Sequence, residues 1–151
     1  MSLIKNNIIK LHDKDNNKPL LLNINNIVAI IQHSKNLKIT LVYFLDEENN
    51  FKNIEVLESV DSIYNNLNKV IPSLLLHMSK NNELVAIPIY RILSMKPTTN
   101  IEQVDVDSKN FMSDVMTASR NKKEYTKLSF VNNKIHPIIV NETIQKIYNK
   151  L

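Results

Sequence analysis

The sequence predicts an α+β fold built as two tandem repeats, each a small, mainly antiparallel sheet of four or five strands closed by one C-terminal helix. Three observations lead there. Two blocks of self-similarity recur in the same order, alternating apolar segments are separated by Asn-rich turns, and an apolar stripe at helical spacing ends each half. With 151 residues, 43% of them apolar, the chain can close a core as one ordinary domain or two very small ones.

The segment Ile8 to Ile31 superposes without gaps on Ser73 to Lys96 at an offset of 65, with six of 24 pairs identical, among them Leu11/Leu76 and His12/His77. Ile54 to Leu67 superposes on Ile138 to Leu151 at an offset of 84, with seven of 14 identical. Module A is therefore expected over residues 1–70 and module B over 71–151. The change of offset gives module B 19 extra residues between Lys96 and Pro137, read as an insertion at about 97–124.

Within module A, Ile8 to Asp13 and Leu20 to Ile24 read as strands of a hairpin around Asn16-Asn17. Asn is the best non-glycine residue for the left-handed backbone that such turns demand, and this chain has no Gly. The same device is expected at Asn49-Asn50, Asn81-Asn82 and Asn132-Asn133. Ile27 to Gln32, the β-branched and aromatic Lys38 to Leu45, and Asn53 to Leu57 give three more strands. Pro19 and Pro137 stand at strand entrances, where a missing donor is tolerated.

A helix follows in each half. Ser59 offers an N-cap hydroxyl, Asp61 an acid in the first turn, and Val60, Ile63, Tyr64 and Leu67 fall on one face. The counterpart in module B is Ile144, Ile147, Tyr148 and Leu151, capped by Thr143 or Asn141, which predicts that the last turn belongs to the core.

The run Leu22-Asn23-x-x-x-Ile27-x-x-Ile30, the strand from Thr40, and Val56-x-Glu58-Ser59-Val60-x-x-Ile63 resemble the small FlbD-like domains associated with bacterial flagellar operons. Module B holds the corresponding places more loosely, with Ile87-Pro88-x-x-x-Ile92-x-x-Met95 and Val140-x-Glu142-Thr143-Ile144-x-x-Ile147. The resemblance implies a compact β-sheet capped by one C-terminal helix.

Composition narrows the chemistry. Zero Cys removes disulfides, thiol nucleophiles and thiolate metal sites, and zero Gly removes the phosphate-cradling loops that need close backbone approach. Net charge is +4 with a pI near 9.2, carried by 17 Lys and only 2 Arg, a mixture poorly suited to bidentate base reading and in keeping with an A/T-rich genome. No apolar run approaches the length of a membrane span, and no secretory signal layout precedes Lys10, so no membrane partner is expected and the location read is a bacterial host's cytoplasm or a virion.

His12, His33, His77 and His136 show no metal-pair spacing, Asp46-Glu47-Glu48 reads as a hairpin tip, and Asp105-x-Asp107 falls short of a calcium loop. No metal, cofactor or catalytic residue is predicted. Glu58 and Glu142, equivalent by position, are placed near the helix N-termini, where negative charge is favoured. The insertion supplies Phe111, Met112, Val115 and Met116 as anchors for a partner protein. Arg120, Lys122, Lys123 and Lys127 with Tyr125 supply an alternative basic surface for nucleic acid. The expected role is that of a non-enzymatic structural or assembly protein acting through contacts with other protein subunits, such as a bacteriophage virion component. The alternative is a basic nucleic-acid-binding or regulatory module.

Overall fold

The computed structural model describes residues 2–33, 35–36, 38–99 and 123–151. The described residues are mostly antiparallel sheet with two α-helices. Their order is β1 (Ile4–Lys5), β2 (Ile8–His12), β3 (Pro19–Asn23), a 3₁₀ turn (Ile24–Asn26), β4 (Ile27–Gln32), β5 (Thr40–Leu45), β6 (Phe51–Val56) and α1 (Val60–Asn68). Then come β7 (Ser73–His77), β8 (Leu84–Pro88), a second 3₁₀ turn (Ile89–Arg91), β9 (Ile92–Thr99), β10 (Glu124–Phe130), β11 (Ile138–Val140) and α2 (Ile144–Lys150).

Local chemistry explains the turns. Asn17, Asn49 and Asn82 hold φ of 56°, 61° and 59°, the left-handed conformation expected of them. Asn132-Asn133 is a turn without a positive φ, so that assignment fails. Asn6-Asn7, which sequence reading passed over, has φ of 52° and 62° and joins β1 to β2 as a two-residue hairpin. Both helix caps are hydroxyls: Ser59 accepts from Ser62 N–H at 3.1 Å and Thr143 from Lys146 N–H at 3.3 Å.

The strands do not sort into one sheet per half. Among the described residues three sheets form, in the orders β1-β2-β3, β6-β5-β4-β8-β7 and β11-β10-β9. The five-stranded sheet joins both halves through β4 and β8, with Ile30 opposite Ala86 and Ile31 opposite Val85. An unpaired residue bulges from β4 at Val28, between the pairs Ile27/Phe44 and Ala29/Tyr43. Leu93 bulges from β9 in the same way, between Ile92/Phe130 and Ser94/Ser129.

Two apolar cores lie on opposite sides of this shared wall. One gathers Ile9, Leu11, Ile24, Ile27, Ile30 and the α1 face, and takes in Ala86 from β8. The other gathers Leu74, Leu76, Leu128, Phe130 and Ile147, and takes in Val28, Ala29 and Leu45 from the first half. Each core is therefore finished by residues of the other half.

The helices differ in their cover. Helix α1 packs on β4, β7 and β8 and buries Val60, Ile63 and Leu67, as its stripe predicts. Helix α2 packs on β9 and buries Ile147, while Tyr148 and Leu151 are exposed. The expectation that the last turn is core is thus wrong: among the described residues α2 rests chiefly on β9, and its Tyr148–Leu151 side stays in water. Ile147→Ala should cost about 2–5 kcal/mol, whereas Tyr148→Ala should stay within about 0.5 kcal/mol, measured by chemical denaturation of the dilute chain.

Candidate functional site

The most ordered polar arrangement is a pair of histidine–glutamate clamps. His12 ends β2, and Glu58 sits one residue before the cap of α1. The Glu58 carboxylate accepts the His12 backbone N–H at 2.7 Å on Oε1 and the His12 ring Nδ1 at 2.6 Å on Oε2. His77 ends β7, and Glu142 grips it in the same way, at 3.0 Å and 2.8 Å. A carboxylate only accepts, so the Nδ1 facing it carries the proton.

Backbone bonds flank each clamp. Leu57 N–H donates to His12 C=O at 3.0 Å and Lys14 N–H to Glu55 C=O at 3.1 Å. In the second half Asn141 N–H donates to His77 C=O at 2.8 Å and Ser79 N–H to Ile139 C=O at 2.9 Å. The clamps thus lash the first hairpin of each half to the strand that leads into its helix. Each carboxylate oxygen accepts one hydrogen bond from the same histidine, which suits a latch. Glu58 and Glu142 each close on their own histidine instead of meeting in a cleft.

Sequence reading missed this pairing although both signals were present. His12/His77 recur at one offset and Glu58/Glu142 at the other, and no alternation rule explains why both partners recur together.

A second polar cluster surrounds Glu55, which pairs with Lys14 and lies 3.8 Å from His33 Nε2. The hydrogen bond from Lys14 holds the Glu55 carboxyl below the ordinary range and raises Lys14 in turn. Asp46, at the hairpin tip, accepts Glu48 N–H and Asn50 N–H, both at 2.9 Å, and meets Lys52 at 3.0 Å. The Asn50 backbone donor, then Lys52, lower its pKa. This tip is the solvated turn that the sequence predicts.

Of the basic residues, Lys123 and Lys127 fall within the described residues. Lys123 Nζ lies 5.2 Å from the Tyr125 ring centroid, and Lys127 stands opposite Lys96 on β9, so two cations share one face of that sheet. Thr126, Leu128 and Phe130 turn inward, the alternation expected of this strand. Arg120, Lys122 and the anchors Phe111, Met112, Val115 and Met116 lie outside the described residues, as do Asp105 and Asp107. A cleft of about 620 Å³ opens beside Pro97, Thr98, Thr99 and Glu124. Among the described residues no three His, Asp or Glu side chains are arranged to hold a metal ion, and no helix is long and apolar enough to cross a membrane. Compared with known proteins, the chain matches no family profile, no curated protein and no solved structure.

Glu58→Ala and Glu142→Ala should each destabilise the fold by about 1–3 kcal/mol, since each leaves a histidine N–H without its acceptor. Urea denaturation, with amide exchange at His12 and His77, measures this. Asp46 and Glu55 have folded-state pKa values below their unfolded ones, so their stabilisation is complete above the ordinary carboxylate range. It fades as pH falls through the depressed values. The protection factor of the Asn50 amide, its exchange relative to the intrinsic rate at each pH, should therefore fall on acidification, and Lys52→Met should move that fall to higher pH.

Proposed function

We propose that the chain is a fusion of two related modules, residues 1–70 and 71–151 with the insertion at about 97–124, and that it works as a non-enzymatic structural or assembly protein. It acts through protein–protein contacts in a larger oligomer. The repeated histidine–glutamate clamp, the repeated bulge at Val28 and Leu93, and the repeated hydroxyl cap support the duplication. The resemblance to FlbD-like domains supports small sheet modules, and the A/T-rich composition suits a bacteriophage virion component.

The observation that carries the assembly reading is apolar surface left in water. Leu21, Leu93, Val131, Tyr148 and Leu151 are all exposed. Isolated exposed apolar residues are ordinary, but several on unpaired strand edges and on one helix face are what a subunit contact uses.

A second reading has its own observation: Lys127 faces Lys96, and Lys123 lies over Tyr125. Together with Arg120 and Lys122 these would form a basic nucleic-acid surface. The two readings separate in one light-scattering titration. Assembly should give a mass that rises with protein concentration and is indifferent to DNA. Phosphate binding should give a DNA complex whose affinity falls steeply with salt, with a log–log slope near the number of contacts.

A further inference from the structure

The junction between β4 and β8 has an unused counterpart. Residues 65 apart occupy the same places in their elements: β3 matches β8, β4 matches β9, and the bulged Val28 matches the bulged Leu93. The closed junction pairs Ile30 with Ala86 and Ile31 with Val85. Transposed by 65, the same contact would pair Met95 with Leu21 and Lys96 with Leu20. Neither β3 nor β9 has a sheet neighbour on that side among the described residues.

Burial follows the same division. Val28 and Ala86 are 0% exposed at the closed junction, while their counterparts Leu93 and Leu21 are 68% and 70% exposed. Leu45, which lies next to Phe44, is 7% exposed and packs in the second half's core. Its counterpart Val131, next to Phe130, is 59% exposed. Helix α1 lies under β7 and β8, whose counterparts are β2 and β3, and α2 has Tyr148 and Leu151 in water.

Backbone direction agrees. Ile24 N–H bonds to Asn7 C=O at 2.9 Å and Asp13 N–H to Lys18 C=O at 3.0 Å. The antiparallel alternation between these points aims the amides of Leu20 and Leu22 at β2 and leaves the N–H and C=O of Leu21 on the open side. Pro19 and Pro97 would face each other at one end of the transposed ladder, and neither has an N–H. They confine the pairing to a stretch as short as the one already formed inside the chain.

We propose that β3 of one chain pairs with β9 of a second copy of the same chain, with Leu21 opposite Met95, and that the hairpin β2–β3 then covers Leu93, Val131 and the exposed face of α2. The proposal rests on the assembly reading and names its partner and its register. A head-to-tail contact of this kind closes into a dimer or a ring, or runs on as a filament, according to the rotation between copies.

The experiment uses the full chain, sedimentation velocity and three variants. Leu21→Pro removes an outward amide without touching the β2 ladder, Leu21→Lys adds charge at the same edge, and Leu93→Lys blocks the opposite edge. Wild-type chain should sediment at multiples of 17.5 kDa, and each variant should sediment as monomer while keeping its far-UV circular dichroism. An equimolar mixture of Leu21→Pro and Leu93→Lys should recover a species of twice 17.5 kDa and nothing heavier, since one intact edge of each kind remains. Leu21→Lys replaces Leu21→Pro in that mixture if the proline variant fails to fold. Association of the wild type that all three variants leave unchanged would overturn the edge pairing while the assembly reading survives. A wild-type monomer up to about 1 mM would overturn the self-pairing, and a salt-sensitive DNA complex in that sample would overturn the assembly reading as well.

Discussion

The short antiparallel ladder between β4 and β8 is the constraint on which the architecture depends. It turns what would be two separate small sheets into one wall with an apolar core on each face. The bulge at Val28 makes the sharing workable, because an extra residue lets β4 send Ile27 and Ile30 to one core and Val28 and Ala29 to the other. Small sheets bury too little surface to be stable alone, and here neither half completes its own interior. The halves therefore support each other as one folding unit.

Within each half, the clamp ties hairpin to helix as the ladder ties one half to the other. The first hairpin and the last strand meet through one isolated bridge, Asp13 with Val56 or Met78 with Val140. A single bridge is a weak tie. The glutamate beside it adds a backbone acceptor and a side-chain acceptor in one group, so the helix start, the last strand and the first hairpin are joined at one point. Hydrogen bonds to a charged acceptor are about twice as strong as neutral ones.

Much of this was legible in residue order. The apolar run Ile27 to Gln32, the β-branched and aromatic run Lys38 to Leu45, the stripe Val60, Ile63 and Leu67, the caps Ser59 and Thr143, and the turns at Asn17, Asn49 and Asn82 are local properties, and local rules find them. Partnership between strands is not local. That β4 reaches β8 instead of closing its own half depends on surface complementarity some 55 residues apart in sequence. The same limit explains Tyr148 and Leu151: helical spacing says which residues share a face, but only tertiary contacts say whether anything covers it. The histidine–glutamate pairs join positions 46 and 65 apart, beyond any pattern that periodicity can supply.

The turns built on Asn carry one more consequence, and it concerns the chain before it folds. Glycine at such positions would accept the left-handed backbone without strain, yet it would also leave the denatured chain with many more conformations to surrender. Asn6, Asn7, Asn17, Asn49 and Asn82 bear a side chain and still reach that backbone. The denatured ensemble is correspondingly narrower at the five positions where the path of the chain reverses, and part of the entropic cost of ordering the hairpins is removed in advance.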